Sequence, residues 1–123
     1  MLIDWTDDFG RWLDDLEEKG GVPLEWALAL LAEVRDLEAE PGQETATLKR
    51  VRQAKRHRLW RLAHPYEPDV AVRIIVWFPA PGQAVVALKG FNKAALGDVW
   101  YDSATVQSEA TVDQWIRERG STA

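Results

Sequence analysis

Cysteine is absent from this 123-residue chain, which excludes a disulfide framework and any thiolate metal site, and nothing in the composition asks for an oxidising compartment. Histidine is scarce, with only His57 and His64. No acid lies between Glu44 and Glu67, so that basic middle region cannot assemble the histidine and carboxylate set of a metal-dependent nuclease. No metal and no cofactor are therefore expected. No apolar run approaches the ~20 residues of a membrane-spanning helix. The opening MLIDWTDDF is acidic where a secretory signal is basic. The expectation is a cytoplasmic protein with no membrane partner.

A chain of this length with 46% hydrophobic residues suits one domain, 1–123, around one core. Its seven tryptophans run from Trp5 to Trp115 and gather in no single segment. That spread fits a core to which every element contributes, whereas a row of base-stacking rings would sit on one exposed face.

The net charge of −5 conceals a division along the chain. Residues 1–44 hold thirteen acids and three bases. Residues 45–66 hold seven bases, Lys49, Arg50, Arg52, Lys55, Arg56, Arg58 and Arg61, and no acid. Such a block has two readings. Clustered cations displace counterions from phosphates and so mark a polyanion site. Equally, they form a solvated loop that balances the acidic helices by intramolecular pairing.

Hydrophobic spacing gives the elements. Leu2 to Trp5 reads as an opening strand, with Thr6 or Asp7 as a helix N-cap. Phe9, Trp12, Leu13 and Leu16 fall on one helical face that stops at Gly20-Gly21. Pro23 suits the first turn of a second helix, apolar at Trp26, Leu28, Ala29, Leu30, Leu31, Val34 and Leu37, which Pro41-Gly42 ends. Leu48 to Val51 begins a strand that basic residues interrupt, and Leu59 to Tyr66 is extended. Val70 to Phe78 and Ala84 to Phe91 form a hairpin around a turn at Pro79 to Gly82. Asp102 or Ser103 caps a closing helix whose buried edge is Val112, Trp115 and Ile116, with Gly120 at its end. The fold class is α+β in the order β-α-α-β-β-β-α: a mostly antiparallel twisted sheet with an N-terminal helical hairpin on one side and a C-terminal helix.

Three segments in that order resemble one family. Trp5-Thr-Asp-Asp-Phe9 with Trp12 matches its opening strand and helix. Leu48-Lys-Arg, Leu59-Trp-Arg-Leu62 and Val72-Arg-Ile-Ile-Val76 match its central hairpin. Val85 to Lys93, Trp100-Tyr-Asp-Ser-Ala104 and the final helix match its close. Together they resemble the RelE/HigB toxin superfamily, in particular its phage-derived HigB-like branch.

The resemblance implies a RelE-like fold and a basic cradle on the central strands that cleaves mRNA. By position, Arg61 falls on a cradle lysine, Arg73 on the central-strand arginine, Lys93 on a basic residue after the last strand, and Tyr101 on a tyrosine near the C-terminus. Where many members carry another arginine, two positions beyond Arg61, this chain has Ala63. Lys49, Arg50, Arg52, Lys55, Arg56, Arg58 and Lys89 would track RNA phosphates. Cleavage by the RNA's own 2′-hydroxyl needs cations for the phosphorane-like transition state and groups that move protons. Arginine is no base near neutrality, so Arg61 and Arg73 would hold the phosphate. Tyr101 or His64 would carry protons, the latter with an ordinary pKa of ~6.5.

Each residue also has a plainer reading: Arg61 as a surface arginine, Arg73 as one half of a buried pair, His64 as a strand-end hydrogen bonder, Tyr101 as core. The family expectation is the toxin of a type II toxin–antitoxin pair, a ribosome-dependent mRNA interferase held by a helix-turn-helix, HigA-like antitoxin. The alternative is a non-catalytic RelE-fold binding or regulatory protein, a phage or host interaction module.

Overall fold

In a computed structural model of the chain, residues 1–63, 72–79, 84–92 and 99–120 are described. They form β1 (Leu2–Trp5), α1 (Asp7–Lys19), α2 (Val22–Arg35), β2 (Leu48–Arg50), β3 (Leu59–Leu62), β4 (Val72–Trp77), β5 (Ala84–Asn92) and α3 (Val99–Gly120). The architecture is α+β; among the described residues three helices accompany a five-stranded mixed sheet ordered β1-β5-β4-β3-β2. The β1–β5 pairing is parallel. The other three are antiparallel.

Local chemistry explains the helix ends. The Thr6 hydroxyl accepts the Phe9 N–H at 3.2 Å and itself donates to the Leu88 carbonyl at 2.9 Å. This single side chain caps α1 and ties it to β5. Asp7 and Asp8 in the first turn and Lys19 in the last complement the helix dipole. Gly20, at φ 63°, and Gly21, at φ 85°, take the left-handed region that reverses the chain into α2. Pro23 lies in the first turn of α2, where its missing N–H costs nothing.

Alternation divides the sheet between two apolar layers. Leu48, Trp60, Leu62, Ile74, Val76, Val85 and Ala87 pack with Phe9 and Leu13 of α1 and Leu30 and Val34 of α2. Val51, Leu59, Ile75, Val86, Leu88 and Phe91 face the other way and pack with Ala104 and Val112 of α3. Both faces are covered, and for that reason β4 and β5 read as nearly unbroken apolar runs. Opposite Ile75 and Val76 the register slips, leaving Leu88 as an extra residue between Ala87 and Lys89. This bulge bends β5.

Several expectations need correction. The sheet has five strands where the order β-α-α-β-β-β-α allows four. The basic stretch 51–58 connects two separate strands, with the Val51 N–H donating to the Leu59 carbonyl at 2.9 Å to close the hairpin. Helix α2 ends at Arg35, before Pro41-Gly42, because the Leu37 N–H bonds the Val34 carbonyl at 3.1 Å and tightens the last turn. Helix α3 begins at Val99 and so places Asp102 inside its first turn rather than at a cap. Ile116 is 46% exposed while Val112 is fully buried, so the apolar edge of α3 is narrower than its sequence suggests. Among the described tryptophans only Trp60 is fully buried, and Trp5 is 47% exposed. Tryptophan is thus spread across core and boundary rather than concentrated in the core.

Candidate nucleic-acid interface

Residues directly opposite each other in an antiparallel pair share a face and hold their Cβ atoms roughly 5 Å apart. Lys49 is opposite Arg61, Arg61 opposite Ile75, and Ile75 opposite Lys89, so these four form one row straight across β2, β3, β4 and β5. Arg73 stands two residues along β4 from Ile75 on the same face, opposite Phe91. Ile75 and Phe91 belong to the layer under α3, which places all four cations on that side of the sheet. Lys49, Arg61, Arg73 and Lys89 are each half-buried. Charges there are less screened than on an open surface.

The four cations are held differently. The Arg73 Nη1 donates to the Val72 carbonyl at 3.0 Å, while its Nε is buried with no hydrogen-bond partner among the described residues. Such an orphaned donor costs about 1–3 kcal/mol. The Lys89 ammonium bonds Gln107 of α3 at 2.6 Å and lies 3.8 Å from Asp8 of α1. Glu44, paired with Arg52 at 3.5 Å, also feels the positive charge of Lys49 and Arg61. Its carboxyl is held below the usual carboxylate range, chiefly by accepting the Arg50 N–H, then by the positive charge of Arg52, Lys49 and Arg61.

The 51–58 connection carries the densest charge, and α3 reaches into it. The Glu109 Oε2 accepts the backbone N–H groups of Arg56 at 2.6 Å and His57 at 3.0 Å. One turn on, Asp113 binds the Arg56 guanidinium through one oxygen and the His57 Nε2, at 2.7 Å, through the other. Both bonds hold the Asp113 carboxyl below its ordinary value, that of His57 most strongly. Arg52 is 3.5 Å from Glu44, and Arg58 is 3.8 Å from Glu40. Arg50 stacks over the Trp60 ring at 5.4 Å, and the Trp60 indole N–H donates to Glu40 at 2.7 Å. Of the two readings of the block, the geometry thus contains elements of both. Arg56 is tied to Asp113 with its side chain 56% exposed, while the Arg52 side chain is 83% exposed beside Glu44.

The described residues also form a cleft of about 400 Å³, but on another part of the surface, between the end of β1, the first turn of α1 and the last turns of α3. Asp4, Asp7, Asp8 and Glu118 line it together with Trp5 and Trp115. Four carboxylates against the one arginine, Arg119, leave the lining net negative, which disfavours a nucleic-acid backbone.

Of the residues singled out from sequence, Arg61, Arg73, Lys49 and Lys89 are brought together on one sheet face. Arg50, Arg52, Lys55, Arg56 and Arg58 lie at or beyond its hairpin edge. His64 and Lys93 lie outside the described residues. Tyr101 falls in the first turn of α3, its side chain likewise outside the description. The reading from sequence missed Glu44, Glu109, Asp113 and His57. Glu109 and Asp113 are spaced i, i+4, which puts both on one helix face. That spacing was the one available signal, and it names no partner. No protein-family model matches the chain, and no curated protein matches it.

Proposed function

We propose that the chain is a RelE/HigB-type endoribonuclease, the toxin of a type II toxin–antitoxin pair, which cuts mRNA without a metal. The observation that supports this most is the half-buried cationic row, Lys49 facing Arg61 with Arg73 one step further along the same sheet face. An unpartnered buried guanidinium nitrogen is costly in the free protein and becomes useful when a phosphate oxygen arrives. In this reading Arg61 and Arg73 clamp the scissile phosphate. The 2′-oxygen attacks phosphorus, the bond to the 5′-oxygen breaks, and a 2′,3′-cyclic phosphate forms. One of His64 and Tyr101 would take the 2′-hydroxyl proton and the other would give a proton to the leaving 5′-oxygen, with Lys93 adding positive charge. The reading also brings the ribosomal A site as the place of cleavage, the cytoplasm as the compartment, and a helix-turn-helix, HigA-like antitoxin as the restraint. Among the described residues no helix is long and apolar enough to cross a membrane.

The test is tightly induced expression in a bacterium of wild type beside Arg73→Ala and Arg61→Ala, following growth and mapping mRNA 5′ ends. Growth arrest with new in-frame cuts, relieved by either substitution, is expected. No arrest, or arrest without cuts, sinks the nuclease reading.

One observation favours the second reading, a non-catalytic RelE-fold binding or regulatory module. Arg52, Arg56 and Arg58 each already have a carboxylate of their own chain. Growth inhibition that survives Arg73→Ala would select that module.

A further inference from the structure

The eight-residue connection 51–58 carries Arg52, Lys55, Arg56 and Arg58. Cations so close repel one another, and a free segment of this kind would stay extended and mobile. Two carboxylates from a helix more than fifty positions later oppose that. Glu109 is only 7% exposed, an expensive place for a carboxylate, and its Oε2 is used to accept two consecutive backbone N–H groups of the connection. Asp113 grips the side chains of the same two residues, Arg56 and His57. The His57 ring, 18% exposed by its side chain, also sits edge-on to Trp77 with centroids 6.3 Å apart. Outside this anchor, Arg52 and Arg58 have side chains 83% and 60% exposed, in pairs of 3.5 and 3.8 Å. Exposed pairs of that length contribute little and give way readily to a phosphate.

We infer that Glu109 and Asp113 are positioning residues that hold the 51–58 connection in shape before RNA arrives, so that Arg52, Lys55 and Arg58 meet successive backbone phosphates as a preordered set. Arg56, grouped by sequence with the RNA-binding cations, is committed to the anchor instead. The inference rests on the reading that the basic block meets RNA. Its physical content is that ordering a charged loop on binding weakens affinity, whereas a loop ordered in advance avoids that loss.

The experiment is fluorescence anisotropy with a short labelled single-stranded RNA, 2′-O-methylated so that it cannot be cleaved, at several salt concentrations, together with amide hydrogen exchange. Wild type should bind with an affinity that falls steeply as salt rises. Glu109→Ala should bind about tenfold more weakly with a shallower salt slope, and the Arg56 and His57 amides should exchange faster. Glu109→Gln keeps an oxygen acceptor for both N–H groups and should bind within about threefold of wild type. Asp113→Asn leaves the Glu109 bonds in place and should weaken binding by an intermediate factor, so the test survives if Glu109→Ala does not fold.

Unchanged affinity in Asp113→Asn and Glu109→Ala, with the two amides freed, overturns the inference and leaves the nuclease reading standing. So does undiminished binding in Arg52→Ala/Lys55→Ala. Failure of the wild type to bind RNA overturns both.

Discussion

His57 and Asp113 are fifty-six positions apart in the chain and meet at 2.7 Å, imidazole Nε2 to carboxylate Oδ1. With the Arg56 guanidinium on the other oxygen, the pair fastens the most basic connection of the sheet to the helix that covers it. Fold and candidate function therefore share one contact, and its removal has consequences for both.

The first consequence is pH-dependent. The folded-state pKa of Asp113 is lowered, first by His57 and then by Arg56, below its value in the unfolded chain. A depressed carboxyl contributes stability above its unfolded pKa, about 3.9, and loses that contribution as pH falls through the folded value. Asp113→Asn should therefore melt at a lower temperature than wild type at pH 7, and the gap should close progressively below about pH 4. Thermal melts of both proteins across that range check it, and a gap that widens on acidification contradicts it.

Arg73 separates stability from function. Among the described residues its Nε is buried without a hydrogen-bond partner, and its Nη1 donates to the adjacent Val72 carbonyl. Arg73→Met keeps the length and drops the orphaned donor. Denaturant unfolding should place its stability within about 1 kcal/mol of wild type, or above it. On the proposed nuclease reading, RNA cleavage and growth arrest should both disappear.

Gly90 of β5 lies against the Trp12 ring of α1, and a Cβ added there would overlap the indole. Gly90→Ala should cost about 1–3 kcal/mol through overpacking. Combining it with Trp12→Leu should recover part of that loss, a coupling that a double-mutant cycle in urea measures directly.

Thr6 caps α1 and bonds β5 with one hydroxyl. Thr6→Ala should cost about 1–2 kcal/mol, whereas Thr6→Ser, which keeps both bonds, should lose only a few tenths by the same reasoning. Chemical denaturation of the two variants distinguishes capping from general packing at this position.

What could be read from the chain was whatever neighbouring residues settle among themselves. Thr6, Gly20-Gly21 and Pro23 mark helix boundaries because capping, left-handed φ and a fixed ring are properties of a few consecutive residues. The β4–β5 hairpin was legible from its apolar runs, whereas Arg61 and Arg73 stood out chiefly through the family resemblance. Less local features were misjudged. Ile116 extended the apolar stripe of α3 on paper, yet whether a position on that stripe is buried depends on where the sheet ends beneath it.

The tertiary structure alone decided the partners. That Lys49, Arg61 and Lys89 stand in one row follows from strand register, which a slip of a single residue would turn to the opposite face. That β1 runs parallel beside β5, at the far edge from β2, follows from packing and not from adjacency in sequence. That the basic block is pinned by Glu109 and Asp113 follows from α3 lying across the sheet, since charges more than fifty residues apart interact only after the core has brought them within a few ångströms. Composition determined that cations would cluster between residues 45 and 66. Burial and register determined which of them face a neighbouring carboxylate and how strongly, because Coulomb energy depends on distance and on how much water is left between the charges.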